Sequence, residues 1–309
     1  MRVRSVGVVT ILSLAGTVVG VVQSVVVAYA FGTSRQVEMF FAAVALEATM
    51  LQLTQTGQLT DIFLPIYLRI KSREGAKSAF ACFAVMTNIL LLAVMGLGLA
   101  LFFLAPVVVS LRVPGFAQAD IARTTWLFRA LLPLLAIHIG STMLSTLANA
   151  EKWFGLPELF SLAGRVAGVV TIILTASPWG VWALVAGLYV NNLLSLVGTT
   201  SFAMYLGYRH HLGLRKPGFE VLPILRQLST TFLYVLTTQA YAFALDASLS
   251  YLPQGVFAVF KYVQQQLVAK VSGLLLRPVN IVFYSHVAES LAKGSKDAVT
   301  LTRRALNLS

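Results

Sequence analysis

Residues 79–109 read AFACFAVMTNILLLAVMGLGLALFFLAPVVV, an apolar run without a single charged side chain. A run longer than about 18 such residues marks a membrane-spanning helix, because only a helix satisfies its own backbone inside lipid. On either side of it, comparable runs lie at roughly 6–30, 37–68, 124–148, 157–177, 181–207, 223–250 and 256–284. The fold expected is an all-α integral membrane protein, a polytopic bundle of about eight transmembrane helices.

Composition agrees. The 309 residues are 58% hydrophobic and 11% charged, against about 25% charged in ordinary globular chains. Eight spans leave only short connections, which excludes a large soluble domain. The one cysteine, Cys82, excludes an internal disulfide and a cysteine-based zinc cluster. No GxGxxG, P-loop, HExxH or GxSxG pattern occurs, so no cofactor, metal or catalytic group is expected. The tandem His210-His211 lies in a basic loop and reads as a solvated face.

The net charge of +12 raises the question of nucleic acid, and its distribution answers it. With the N-terminus in the cytoplasm, 15 of the 23 basic residues fall on inward segments: Arg2 and Arg4, the 69–77 stretch, Lys152, the 209–226 stretch, and Lys293 to Arg304. Outward positions hold only Arg35, Arg112, Arg123 and Arg129. That is the positive-inside pattern; the charge reflects topology and anionic lipid rather than a nucleic-acid partner. The run from Val6 to Ala30 is too long for a signal-peptide core and reads as a retained helix.

Polar residues inside the spans carry the functional signal, because charge there is costly and faces a partner or a watery cavity. The second span is the richest. Glu47, Thr54, Gln58 and Asp61 share one helical stripe, and Glu38, Thr49, Gln52 and Thr56 a neighbouring one. A stripe that wide points to a hydrated interior. Arg129 and His138 lie in the fourth span, Arg165 in the fifth, Asn191 and Asn192 in the sixth, Gln239 and Asp246 in the seventh, and Lys261, Gln264, Gln265, Gln266 and Lys270 in the eighth. Each has a plainer reading as well: Arg129 at the headgroups, Arg165 and Lys270 snorkelling, His138 as a packing residue.

Four stretches then carry a family resemblance. These are Ala30-Phe31-Gly32-Thr33-Ser34 with Phe40-Phe41-Ala42 and Phe63-Leu64-Pro65; Arg129-Ala130-Leu131-Leu132-Pro133; Leu147 to Pro157; and Asp246 with Leu252-Pro253-Gln254-Gly255. In this order they resemble the MurJ (MviN) lipid II flippases of the MOP exporter superfamily, colinear over essentially the whole chain. The resemblance implies a six-helix N-terminal lobe (1–215) and the first two helices of a second lobe plus a basic cytoplasmic segment (216–309). It also implies a bacterial inner-membrane transporter, not an enzyme, that flips a polyprenyl-diphosphate-linked saccharide by alternating access between lobes. The partners implied are that saccharide carrier and membrane lipids, with the remaining second lobe or a second copy completing the cavity. Asp246 is the implied ion-coupling acid.

Registered on the same stretches, the family's cavity arginines fall on Thr17, Gln23, Gln52 and Gln264 or Gln265, while its acid at the start of the second helix persists as Glu38. Glutamine donates hydrogen bonds but supplies no charge, whereas a guanidinium grips phosphate through two. The departure points to a lipid-linked saccharide other than lipid II, such as an exopolysaccharide precursor, and leaves phosphate recognition to Arg129, Arg165 or Lys261, with Lys261 first. The cavity candidates are therefore Gln23, Glu38, Glu47, Gln52, Gln58, Asp61, Arg129, Arg165, Lys261, Gln264 and Gln265. Other readings are a MOP-type multidrug antiporter, a membrane-embedded glycosyltransferase and a scaffold subunit of polysaccharide assembly. Because two lobes are needed and only two helices of the second are expected here, the 309 residues are not expected to transport alone.

Overall fold

The computed structural model of the chain describes residues 3–54, 56–214 and 222–264, with side chains described over 7–54, 63–214 and 235–264. Among these residues the helices are α1 (Val3–Phe31), α2 (Arg35–Leu53), α3 (Thr56–Glu74), α4 (Ala76–Arg112), α5 (Gln118–Ala150), α6 (Gly155–Trp179), α7 (Trp182–Tyr205), α8 (Leu222–Ser250) and α9 (Val256–Val263). Six of them are long and apolar enough to cross a membrane. The quoted apolar run is α4, extended by three residues at each end.

The second span differs from expectation. It is described as two helices, α2 ending at Leu53 and α3 starting at Thr56, with Gln55 outside the described residues. At the end of α2 the Thr54 hydroxyl donates to Leu51 O at 2.7 Å and its N–H to Met50 O at 3.0 Å. A hydroxyl that supplies local hydrogen bonds competes with the helix continuing. The polar composition that suggested a cavity stripe thus includes residues that close a helix end. Gln265 and the remainder of the eighth span lie outside the described residues, as do the side chains of Gln58 and Asp61.

The core is built where α2, α4 and α5 meet, around Leu46, Phe128, Leu131, Leu135, Ile139 and Met143, all fully buried. α1 packs mainly along α6 and leaves Ile11, Val18 and Val25 on the outside, as expected of a surface solvated by lipid tails. In lipid, small residues let backbones approach. The α6–α7 hairpin uses this: a Cβ on Gly168 would sit 2.7 Å from the Gly187 carbonyl.

Prolines inside the helices remove rungs that other groups replace. Pro106 has no N–H for the Phe102 carbonyl four residues earlier in α4. Arg129 of α5 supplies the missing donor, its Nε reaching Phe102 O at 3.0 Å, with the guanidinium stacked over the Phe102 ring at 4.8 Å. Close to Pro133 of α5, the Tyr189 hydroxyl of α7 donates to Ala130 O at 2.7 Å.

The two ends of the bundle are tied differently. At one end, called the Lys71 end, the Lys71 ammonium lies 2.6 Å from Glu151 and the Tyr67 hydroxyl donates to the same carboxylate at 2.7 Å. Asn88 of α4 holds the loop after α7 by donating to His211 O and Gly213 O at 2.8 and 2.9 Å. In that loop Tyr208 packs edge-on against Phe83 and contacts His210 Nδ1 at 2.7 Å. Burial, then the neighbouring His211, holds the His210 imidazole below its ordinary range.

A buried ionic cluster between α4, α8 and α9

The opposite end gathers α8 and α9 against α2 and α4. At its centre are Arg112, the last residue of α4, Asp246, one turn before the end of α8, and Lys261 on α9. Their residues are 2%, 1% and 4% exposed. Arg112 Nε and Nη2 both reach Asp246 Oδ2, at 2.8 and 2.6 Å. Lys261 Nζ lies 2.5 Å from Oδ1, off the direction of an aligned hydrogen bond, so this contact is an ion pair. Arg112 Nη1 also points to Thr49 Oγ1 of α2 at 3.4 Å, and the Gln264 carbonyl accepts from Lys261 at 3.3 Å. Aromatic faces close the site: Phe243 lies 4.4 Å from the guanidinium and Phe257 5.5 Å from the ammonium.

A second set of contacts surrounds it. Glu38 Oε2 accepts from Arg35 at 2.8 Å, and Arg35 Nε lies 3.3 Å from Asp120 at the start of α5. Glu38 Oε1 accepts the Gly255 N–H at 2.8 Å. Gly255 sits at φ +99°, a conformation open to glycine, with Thr33 Oγ1 3.1 Å from where a Cβ would stand. The Ser250 hydroxyl accepts from Gly115 N at 2.9 Å, and the Tyr262 hydroxyl donates to Gly32 O at 3.2 Å. The segments that lead into and out of the α8–α9 turn are therefore fastened to α2, the loop after α1 and the loop after α4.

Of the residues singled out in the sequence, Asp246, Lys261 and Gln264 come together in the cluster, and Glu38 lies in the surrounding clamp. Glu47 is buried separately, with Oε1 3.3 Å from Nδ1 of the half-buried His138; neither atom has an aligned hydrogen bond. Gln52 is exposed and Gln23 half-buried. Arg129 serves the Phe102 carbonyl, and Arg165 Nη1 reaches Gly16 O on α1 at 3.2 Å. Among the described residues no group of three or more His, Cys, Asp or Glu side chains could hold a metal ion.

Arg112 was missed as a site residue because it falls at the end of a span, where a basic side chain counts as an ordinary outward charge. The available signal was indirect. An aspartate within a span requires a cation, and the candidates at that end of the bundle were few.

The family model described as Lipid II flippase MurJ matches residues 27–309. The Lipid II flippase MurJ of Burkholderia cenocepacia is 24% identical over 221 residues, covering 67% of this chain and 42% of that protein. The Probable lipid II flippase MurJ of Buchnera aphidicola is 22% identical over 156 residues, 48% of this chain and 30% of that one. This chain thus spans less than half of the length of the curated relatives it matches. A solved structure of Lipid II flippase MurJ in an inward closed conformation superposes with a TM-score of 0.67 at 14% identity, over 84% of this chain and 54% of that chain, a likeness of fold.

Proposed function

Because the chain belongs to the lipid II flippase MurJ family, a family of multi-pass inner-membrane transporters, we propose that it moves a polyprenyl-diphosphate-linked saccharide from the inner to the outer leaflet. The single observation that carries the reading is the family match over residues 27–309. The fold agrees with it. In this reading residues 1–215 are a first lobe, and α8 and α9 belong to a second.

In this reading the end opposite Lys71, the Arg35 end, faces outward and the Lys71 end faces the cytoplasm, following the basic residues. The ionic cluster and the Glu38 clamp hold the outer side shut, because the Arg112–Asp246 pair and the Glu38–Gly255, Gly115–Ser250 and Tyr262–Gly32 hydrogen bonds join α8, α9 or their turn to the first lobe. Opening outward requires breaking them, and opening inward leaves them intact. The lipid tail stays in the bilayer while the head crosses between lobes. The glutamines at positions 23, 52 and 264 favour a saccharide carrier other than lipid II. Leaflet exchange of a fluorescent polyprenyl-diphosphate saccharide by reconstituted protein tests the proposal. Ion-driven efflux of drugs without such exchange would favour the multidrug antiporter instead.

A further inference from the structure

The cluster at the Arg35 end holds more cation than carboxylate. Arg112 and Lys261 share one acid, Asp246, and among the described residues no other carboxylate lies within ion-pair distance of either. The three together carry a net charge of +1 in a space closed to water, an arrangement that is costly to maintain.

The donors are also placed for a different acid. Nε and Nη2 of Arg112 converge on one oxygen, and Lys261 Nζ stands at the other. A planar fork and a point charge on two oxygens of one group is a donor set that suits phosphate as well as carboxylate. A phosphate group, with up to two negative charges, would balance the two cations where the single carboxylate does not. The three residues come from different helices. Arg112 sits on α4, while Asp246 and Lys261 sit on α8 and α9, so the two cations face one group only while α8 and α9 stay packed against α4.

We propose that Arg112 and Lys261 form a phosphate-binding site and that Asp246 is the internal carboxylate that fills it when no phosphate is bound. The inference rests on the translocation reading, which supplies the ligand as the diphosphate of the carried lipid; a phospholipid headgroup presents the same chemistry. It adds Arg112 to the substrate-handling residues and gives Asp246 a role other than holding a coupling ion. Both of its oxygens are occupied by side-chain cations, so a free cation has no place on it in this arrangement.

The test is calorimetric binding of farnesyl diphosphate to the purified chain in phosphatidylcholine nanodiscs, with short-chain phosphatidylglycerol in a parallel arm. Asp246→Asn, which keeps the shape and removes the competing charge, should bind the diphosphate at least fivefold more tightly than the native chain. Lys261→Gln should bind it at least fivefold more weakly, and Arg112→Lys, which keeps the charge and loses the fork, should also weaken it. A gain confined to the diphosphate arm identifies the carried lipid; equal gains in both arms keep the site and assign it to a headgroup. An Asp246→Asn chain that binds no more tightly overturns the proposal. If that variant does not fold, Lys261→Gln decides, because it leaves a one-to-one Arg112–Asp246 pair, and a loss smaller than fivefold overturns the site. Leaflet exchange judges the function separately: binding without exchange keeps the site and loses the translocation reading, and exchange with unaltered binding in Lys261→Gln does the reverse.

Discussion

Arg112 and Asp246 are 134 residues apart in the chain, yet the guanidinium Nη2 and the carboxylate stand 2.6 Å apart with both residues almost fully buried. Removing the acid strands two buried cations, whereas removing Lys261 leaves a balanced pair. Breaking a buried pair by deleting one partner costs about 3–5 kcal/mol. Thermal unfolding in detergent should therefore show Asp246→Ala far less stable than Lys261→Ala. Equal melting temperatures would place the stabilising contacts elsewhere.

Arg129 should matter only because Pro106 is where it is. Arg129→Leu leaves the Phe102 carbonyl without a donor at an exposed position where, in lipid, no water replaces it, at a cost of about 1–3 kcal/mol. In a Pro106→Ala background the helix supplies its own N–H, and the same substitution should cost little. A double-mutant cycle measures the coupling; additive effects would show that the two residues act independently.

The turn from α5 into α6 contains a lysine in a left-handed conformation, Lys152 at φ +65°. Its N–H bonds to Asn149 O and that of Trp153 to Ala148 O, a helix ending in which glycine is ordinarily preferred. Lys152→Gly should raise stability by about 1 kcal/mol. A decrease would mean that the side chain's own contacts outweigh the strain.

Gly255 should not tolerate a side chain. Gly255→Ala combines a φ of +99° with a Cβ pressed on Thr33 and should loosen the Glu38 clamp. Two cysteines, introduced at Thr33 and Gln254, should then cross-link less efficiently than in the parent. Unchanged cross-linking would show that the turn holds without the glycine.

The loop after α7 should respond to pH. Burial, with His211 beside it, lowers the His210 pKa from 6.5, so the detached loop binds a proton more readily than the docked one. The resulting stability is present above pH 6.5 and is lost as the pH falls through the lowered value. Hydrogen exchange of residues 206–214 should quicken in mild acid, and His210→Gln should abolish the change. An acid response that survives the substitution would assign it to another group.

The spans were legible because lipid demands long apolar runs: α4, α6 and α7 end within three residues of where hydropathy places them, and α5 begins six residues earlier. The break between Leu53 and Thr56 was not, since its threonines and glutamines read equally as a helical stripe or as a helix end. Arg129 looked like a headgroup anchor or a cavity cation. Seeing it as the substitute donor for Pro106 required knowing that α4 and α5 lie side by side. Arg112 was hidden for a similar reason: an ion pair spanning 134 residues leaves no periodicity in the sequence.

Orientation has its own test. Cysteines introduced at the exposed positions Ser72 and Ser177, in a chain whose buried Cys82 has been replaced, report on the Lys71 end and the opposite end. An impermeant reagent applied from outside should label Ser177→Cys and spare Ser72→Cys. The reverse pattern would invert the topology and place the ionic cluster on the cytoplasmic side.

Translocation is read by leaflet exchange of the lipid itself. The protein is extracted from its membrane together with anything bound to it. It is then reconstituted with a fluorescent polyprenyl-diphosphate saccharide, and the fraction open to an impermeant quencher is followed in time. Exchange above that of protein-free vesicles, with a fluorescent phospholipid left in place, is the predicted result. Exchange no faster than in protein-free vesicles, across the polyprenyl-diphosphate saccharides tried, would contradict it.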